Sequence, residues 1–472
     1  MNLIKKKINS WTLLQKLNCN IVYPKSTKEL KKVLNYAKKN NLSVIAMGHG
    51  CSYGDLFMHS KGIIINFKNL NKIINFNSQN NTLLVEPGIS VSEVNQFLFN
   101  KNLTINSIPS NFEITVGGAI SNNVYGKDSH NNGYFSNNVS KITYINDNLD
   151  TKTLSKKDNR VEFEKFIGSI GLLGIITEIE IIGSELKSQY LNFKNYYLNN
   201  FDEFFQFQQK MNLKEIAFCS FKIDPFSKNE KFGRACVTTY NWDFTSTKDN
   251  LKKIRDVNLY KKITLFGFTF YLSRKKYNLI KKLVFSIAAL VSNRYTWKIL
   301  HIVSFLYFKI NDRKIGKLHI LDLYSNNNFT NHNILFKPRG FYFFQISIPI
   351  KIYYSVVTKL LKIVQKDKNE PFMCQIMMLP KRKDFIYEMD DHISITIPLL
   401  KSKNNKKQDL LLKEIVGLVI DNKCQLNLAK DNVINKEDGL KIFPKIKEFE
   451  MLKKDLDKNC FFSSSYYERI LK

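Results

Sequence analysis

The sequence predicts an α+β protein, and three observations predict it. Over residues 10–185, short β-branched runs alternate with helical patterns and glycine-rich loops. After Ser184 the spacing changes to strands flanked by amphipathic helices, which suits an antiparallel sheet with helices on one face. A last stretch, 425–472, follows a helix and carries short loops. The expected units are therefore 10–185, 186–424 and 425–472.

The first part can be read element by element. Thr27–Asn40 follows Pro24 and opens at Ser26, whose hydroxyl can accept an N–H of the first turn, so a helix starts there. Ser90–Asn100 is a second helix. Ile63–Phe67 and Ile175–Ile182 are apolar, β-branched runs and read as strands. In the second part Phe201–Met211, Tyr353–Gln365 and Asp409–Asp421 read as helices. Ile216–Ile223, Arg234–Tyr240, Phe341–Ile348, Met373–Leu379 and Ile393–Pro398 read as strands.

Three loops carry the functional signal. Gly48-His-Gly-Cys-Ser-Tyr-Gly-Asp55 follows the strand-like Ser43–Met47. Thr115–Lys127 and Gly168–Thr177 follow later, each beside a β-rich segment. Glycine has no Cβ and accepts positive φ, so such loops bring bare backbone N–H groups close to an anion. Three of them suit a long phosphate-bearing cofactor threaded across several turns. There is no G-x-x-x-x-G-K-[ST] string and no G-x-G-x-x-G opening a helix, which argues against a nucleoside triphosphatase and a nicotinamide Rossmann site.

Composition narrows the class further. A chain of 472 residues, 44% hydrophobic and 13% aromatic, can fill a large core and is not a disordered one. Its net charge of +31 favours anionic partners such as phospholipid headgroups or polyprenyl phosphates, although lysine-rich composition throughout accounts for part of it. Nucleic acid is disfavoured, because the basic residues are dispersed and no zinc-finger, helix-turn-helix or RNP string occurs. Seven cysteines without a C-x-x-C read as reduced thiols of a cytoplasmic protein. Met1–Asn9 lacks the apolar run of a signal peptide, and the seven histidines form no metal-ligand spacing.

Residues 250–311 differ from the rest. Lys261-Lys262, Arg274–Lys276 and Lys281-Lys282 alternate with Leu265–Phe270, Leu283–Val291 and Ile299–Phe308. No uncharged run reaches the roughly 20 residues of a spanning helix. The stretch is either one or two core helices of an insertion or an element lying on a membrane surface, lysines on anionic headgroups.

Several strings resemble, in order, those of the FAD-linked oxidases with a vanillyl-alcohol-oxidase-type (PCMH-type) flavin domain. They are Val22–Leu30, Gly48–Asp55, Leu84–Gly88, Pro109–Gly133 and Gly171–Thr177. Within that family, Ser52–Asp55, Gly117–Ile120, Gly126-Lys127, Gly133–Asn137, Leu428–Asp431, Phe461–Ser465 and Glu468-Arg469 are similar to strings of the flavin subunit of a lipid-linked sugar epimerase. Both ends of the chain are covered well and the middle poorly. The resemblance implies a two-subdomain PCMH-type FAD-binding domain and a substrate-binding cap with an antiparallel sheet and helices.

The resemblance also implies site residues. FAD would be held by Gly48, His49, Gly50, Cys51, Ser52, Tyr53 and Gly54 in the first loop. Gly117, Gly118, Asn122, Tyr125 and Gly126 would hold it in the second, and Ile175 on the closing strand. Lys430 matches a lysine beside flavin and substrate, and Gln345 a glutamine facing the flavin. His392 is a candidate base or hydroxyl partner. Where covalent members have a histidine before the first-loop serine, this chain has Cys51, and Tyr125 replaces a second histidine, so non-covalent FAD is expected. Ser394, Met377 and Asn427 stand in place of a cysteine, a lysine and a tyrosine, which changes the substrate wall and leaves the flavin chemistry.

These matches imply an FAD-dependent oxidoreductase acting on CH–OH groups. Hydride would leave a secondary carbinol of a sugar, carried on polyprenyl phosphate, for flavin N5, with Lys430 and His392 managing the hydroxyl proton. A nicotinamide-dependent reductase would be the partner, and the location cytoplasmic, peripheral on the inner membrane face. The alternatives are a soluble aldonolactone or alditol oxidase and a flavin-binding subunit without turnover.

Overall fold

The computed structural model describes residues 3–245, 260–265, 268–273, 283–325, 332–366, 368–384 and 386–472, with side chains for all of these except 260–265, 268–273, 325 and 332. Helices and sheets are mixed, and three sheets organise the chain. The first has four strands in the order Ile4–Asn9, Lys16–Val22, Ile63–Asn66, Val44–Met47, the last three parallel. Ile63–Asn66 is buried on both faces, as its unbroken apolar run requires. Thr27–Lys39 crosses between strands of this sheet. Ser26 accepts from the Glu29 N–H, and Leu30, Val33, Leu34 and Ala37 form the buried stripe.

The second sheet is antiparallel, in the order Ile73–Asn77, Thr82–Val85, Ile175–Ile182, Val139–Ile145, Thr151–Ser155. The helix Val91–Phe99 opens with a reciprocal cap between Ser90 and Glu93. The short helix Val116–Ser121 follows Thr115, whose side chain accepts from the Gly118 N–H.

The third sheet has eight antiparallel strands: Ile315–His319, Tyr190–Leu198, Ala235–Trp242, Phe218–Ile223, Gln375–Leu379, His392–Leu400, Phe341–Pro349, Gln425–Leu426. Alternation divides its two faces. On one, Phe221 meets Phe204 of the helix Phe201–Lys210 with ring centroids 5.9 Å apart. Tyr353, opening the helix Tyr353–Lys366, hydrogen-bonds Gln208, and Asn405–Asp421 packs on that helix. On the other face lies the helix Arg294–Ile310, where the Lys222 ammonium sits 5.7 Å from the Phe308 ring centroid.

The 250–311 stretch departs from the expectation of core helices. Tyr260–Leu265 and Phe268–Ser273 pair as an antiparallel hairpin, in keeping with their β-branched and aromatic content. Arg274–Lys276 and Lys281-Lys282 lie outside the described residues, as do the side chains of Lys261 and Lys262. Arg294–Ile310 begins earlier than the apolar run predicts, because Asn293 and Thr296 cap it reciprocally. Among the described residues no helix is long and apolar enough to cross a membrane.

The carboxyl-terminal segment returns to the first sheet, where Phe462 bridges Val44 and the Val44 N–H donates to the Phe461 carbonyl at 2.7 Å. Arg469 then pairs with Asp55 at 2.8 Å and Asp431 at 3.2 Å, tying the tail to the first loop.

Candidate active site

The glycine loops and the inner face of the eight-stranded sheet line one cavity of about 840 Å³. The loop wall is built mainly from backbone. Gly50 turns through φ +67°, a left-handed conformation costly for other residues. At Gly48 a Cβ would lie 2.2 Å from Thr115 Oγ1, so the first two loops are packed against one another. Among the described residues, the N–H groups of His49, Gly50, Cys51 and Ser52 have no hydrogen-bond acceptor. A run of unpaired donors beside a cavity suits an anion. In the second loop a Cβ on Gly118 would meet only Thr115 Oγ1, at 3.1 Å, leaving open space along the backbone. Asn122 donates to the Gly118 carbonyl at 2.9 Å while its own Oδ1 is buried without a partner. Donor row, open glycine backbone and orphaned acceptor together fit a phosphate-bearing dinucleotide such as FAD.

Three of the predicted cofactor residues do not line the cavity. A Cβ on Gly54 would lie 1.9 Å from the Asp431 carbonyl oxygen, and one on Gly126 2.2 Å from that of Ile108, so both glycines permit close backbone packing. The Ile175 side chain is fully buried in the core beside Val44 and Phe462, whereas its neighbour Ile176 reaches the cavity.

The sheet wall is built from side chains. Cross-strand register sets Lys222 opposite Gln375, Gln375 opposite Thr396, and Thr396 opposite Gln345, a polar row across four strands that borders the cavity throughout. The segment after Gln425–Leu426 closes the row, since the Asn427 N–H donates to the Gln345 carbonyl at 2.9 Å. The Tyr53 N–H donates to the Ala429 carbonyl at 2.8 Å, which brings Lys430 onto the first loop. Its ammonium stands 3.8 Å from the Tyr53 ring centroid and 5.4 Å from that of Phe343. Burial lowers its pKa to about 7, with Cys51 acting weakly the other way.

Tyr125 and Ser394 share a 2.7 Å hydroxyl hydrogen bond beside Met377, and burial pushes the Tyr125 phenol up to about 12. His392 is a correction to the sequence reading. It lies two positions before Ser394, 1% exposed, and does not border the cavity. Its Nδ1 is 2.8 Å from the Asp390 carbonyl, and burial lowers its pKa to about 4, so it is a neutral core histidine. All seven cysteines are free, Cys51 among them.

Sequence reasoning passed over Lys127, Lys222, Gln375 and Thr396, all of which border the cavity. Lys127 stood in a quoted string. Ser220 and Lys222, polar at alternate positions of an apolar strand, were the available sign of a lined pocket.

Comparison with known proteins agrees with this architecture. Residues 20–154 match the FAD binding domain family, so this part of the chain is an FAD-binding domain. Over 210 residues the chain is 27% identical to Decaprenylphosphoryl-beta-D-ribose oxidase of Mycolicibacterium smegmatis (strain ATCC 700084 / mc(2)155), covering 44% of this chain and 46% of that protein. The match thus spans about half the length of the curated relative, which bears the name of the sugar oxidase whose strings the sequence resembles. An FAD-dependent oxidoreductase is the class these matches support.

Proposed function

We propose that the protein oxidises a secondary hydroxyl of a sugar carried on polyprenyl phosphate. The observation that carries the reading is Lys430, a desolvated ammonium on the Tyr53 ring at the junction of the loop wall and the polar row. FAD, when bound, supplies the hydride acceptor at N5. Residues 48–53 with Gly117, Gly118, Asn122 and Tyr125 hold it non-covalently, because Cys51 occupies the place of the histidine through which covalent members attach it. Lys430 takes the substrate hydroxyl, and with a pKa of about 7 it can hold either the proton or the charge developing on oxygen. Gln345 and Thr396 orient the sugar from the sheet. His392 has no part in it.

The lipid link is supported by the helix Arg294–Ile310. Trp297, His301 and Phe305 border the cavity, while Ile299, Val303, Leu306 and Ile310 are exposed, so a prenyl chain leaving the cavity has an apolar path to a membrane surface. In this reading residues 10–185 bind FAD, 186–424 form the cap, and 425–472 return Lys430 to the flavin. The keto sugar produced is reduced by a nicotinamide-dependent partner to complete an epimerisation.

The test is anaerobic flavin bleaching of the FAD-loaded protein by free and prenyl-phosphate-linked pentoses. Bleaching by the lipid-linked sugars supports the proposal. Rapid peroxide release with free alditols points instead to a soluble oxidase, and no bleaching by any sugar to a subunit without turnover.

A further inference from the structure

Two lysines outside the proposed redox step share its cavity. Lys127 ends the second loop and Lys222 lies on Phe218–Ile223. The Cys219 N–H donates to the Lys127 carbonyl at 3.0 Å, holding the loop against that strand. Both side chains are half-buried and border the cavity. Among the described residues neither ammonium has a carboxylate partner or a hydrogen-bond acceptor. The Lys222 ammonium stands over the Phe308 ring, 5.7 Å from its centroid. Other interior cations pair with a carboxylate, Arg234 with Asp224, Arg294 with Glu370, Arg382 with Asp384 and Lys453 with Asp457, whereas Lys430 at the redox end rests on aromatic rings.

An uncompensated buried charge is unfavourable, and two that repel are worse. Burial lowers both lysines, Lys127 to about 8, and the Lys222 charge depresses Lys127 further. Two adjoining cations on a cavity wall suit an anion. The polar row joins this pair to the redox end, since Lys222, Gln375, Thr396 and Gln345 stand on four adjacent strands, about 14 Å across at ~4.8 Å per step.

Resting on the proposed sugar oxidation, we propose that Lys127 and Lys222 form a subsite for a phosphoryl group on the sugar substrate. The chain then selects phosphorylated over free sugars by charge, and Lys430 is left to the hydroxyl. A monophosphate and a prenyl phosphodiester present the same oxygens to the two ammonium groups.

The experiment uses the FAD-loaded protein. Calorimetric titration with inorganic phosphate, a pentose 1-phosphate and a short-chain prenyl-phosphoryl pentose gives affinities for parent, Lys127→Gln, Lys222→Gln and Lys430→Gln. Each of the first two variants is expected to weaken all three probes by about tenfold or more, with Lys430→Gln unchanged toward inorganic phosphate. Lys222→Gln should melt at or above the parent temperature, because it removes an unpaired buried charge, and Lys222→Arg should retain binding. Tighter binding of the prenyl probe identifies a lipid carrier, and equal binding of the two sugars a soluble sugar phosphate. Unchanged affinities in a folded, yellow Lys222→Gln protein overturn the subsite, even where sugars still bleach the flavin. Lost phosphate binding with no sugar bleaching the parent keeps the subsite and overturns the oxidation.

Discussion

The two walls of the cavity are made of different material. The loop wall presents backbone N–H groups on glycine turns, and its strings resemble a known family closely enough to be recognised. The sheet wall presents side chains in cross-strand register, and Met377 and Asn427 on it, with Ser394 buried beside it, depart from the strings of the sugar oxidase the chain resembles. A backbone wall recognises what every FAD shares, a diphosphate and a flat ring, so few sequences satisfy it. A side-chain wall recognises the substrate and changes by single residues. The difference teaches that the backbone wall suits the cofactor and the side-chain wall the groups that distinguish one substrate from another.

Removing what joins the walls should have the largest effect. Arg469 pairs with Asp55 at the end of the first loop and with Asp431 beside Lys430, both carboxylates nearly inaccessible. Arg469→Ala strands two buried charges and should cost about 3–5 kcal/mol of unfolding free energy, read by urea titration. The loss should be smaller at acid pH, where Asp431, whose pKa burial raises, can protonate. A loss under about 1 kcal/mol would mean the walls do not depend on this clamp.

This clamp also marks how much was legible. The strings holding Asp55, Asp431 and Arg469 were visible, as were helices such as Thr27–Lys39 and Tyr353–Lys366 and strands such as Ile63–Asn66 and Phe341–Pro349, because periodicity and glycine spacing are local. Strands such as Val139–Ile145 and Tyr190–Leu198, with polar residues breaking their apolar runs, were not. Nor was the pairing of Arg469 with the two aspartates. Asp55 and Arg469 are 414 positions apart, and nothing local says that they meet. The row from Lys222 to Gln345 was hidden for the same reason, since register is set by the assembled sheet. His392 shows the opposite error. Its neighbours looked like a substrate strand, but the ring is one alternation too far along and is sealed in the core.

The next effect separates chemistry from binding. Lys430→Met should keep its colour and lose about 10²–10³ in anaerobic bleaching rate, the scale of losing one group that stabilises developing charge. In the parent, a rate that needs the ammonium should fall as pH rises through about 7 and be level in the variant. Stability runs the other way. The folded pKa lies below the unfolded value, so between about pH 7 and 10.5 the unfolded chain binds more protons and stability rises with pH. Lys430→Met should remove that slope. Equal bleaching rates in the two proteins would take Lys430 out of the mechanism.

A smaller effect tests the loop wall alone. A Cβ on Gly118 meets only Thr115 Oγ1 within 4 Å, so Gly118→Ala should resemble the parent. Gly118→Leu fills the open space and should weaken FAD by about 10- to 100-fold, an overpacking cost of ~1–3 kcal/mol. Fluorescence titration of the apoprotein measures this. Unchanged affinity with unchanged fold would place the cofactor elsewhere.

The smallest expected effect belongs to the diverged patch. Tyr125 and Ser394 give each other a 2.7 Å hydrogen bond across the two walls, and neither has a charge to lend at neutral pH, since burial raises the phenol to about 12. If the pair is wall rather than chemistry, Tyr125→Phe removes one neutral bond, worth about 0.5–1.5 kcal/mol, and bleaching changes by less than about tenfold. Ser394→Ala should cost the same, and the double variant little more than either single, because both delete one interaction. A Tyr125→Phe rate loss near that of Lys430→Met, with Ser394→Ala silent, would show the phenol acting on substrate. The line between cofactor wall and substrate wall would then run through Tyr125 itself.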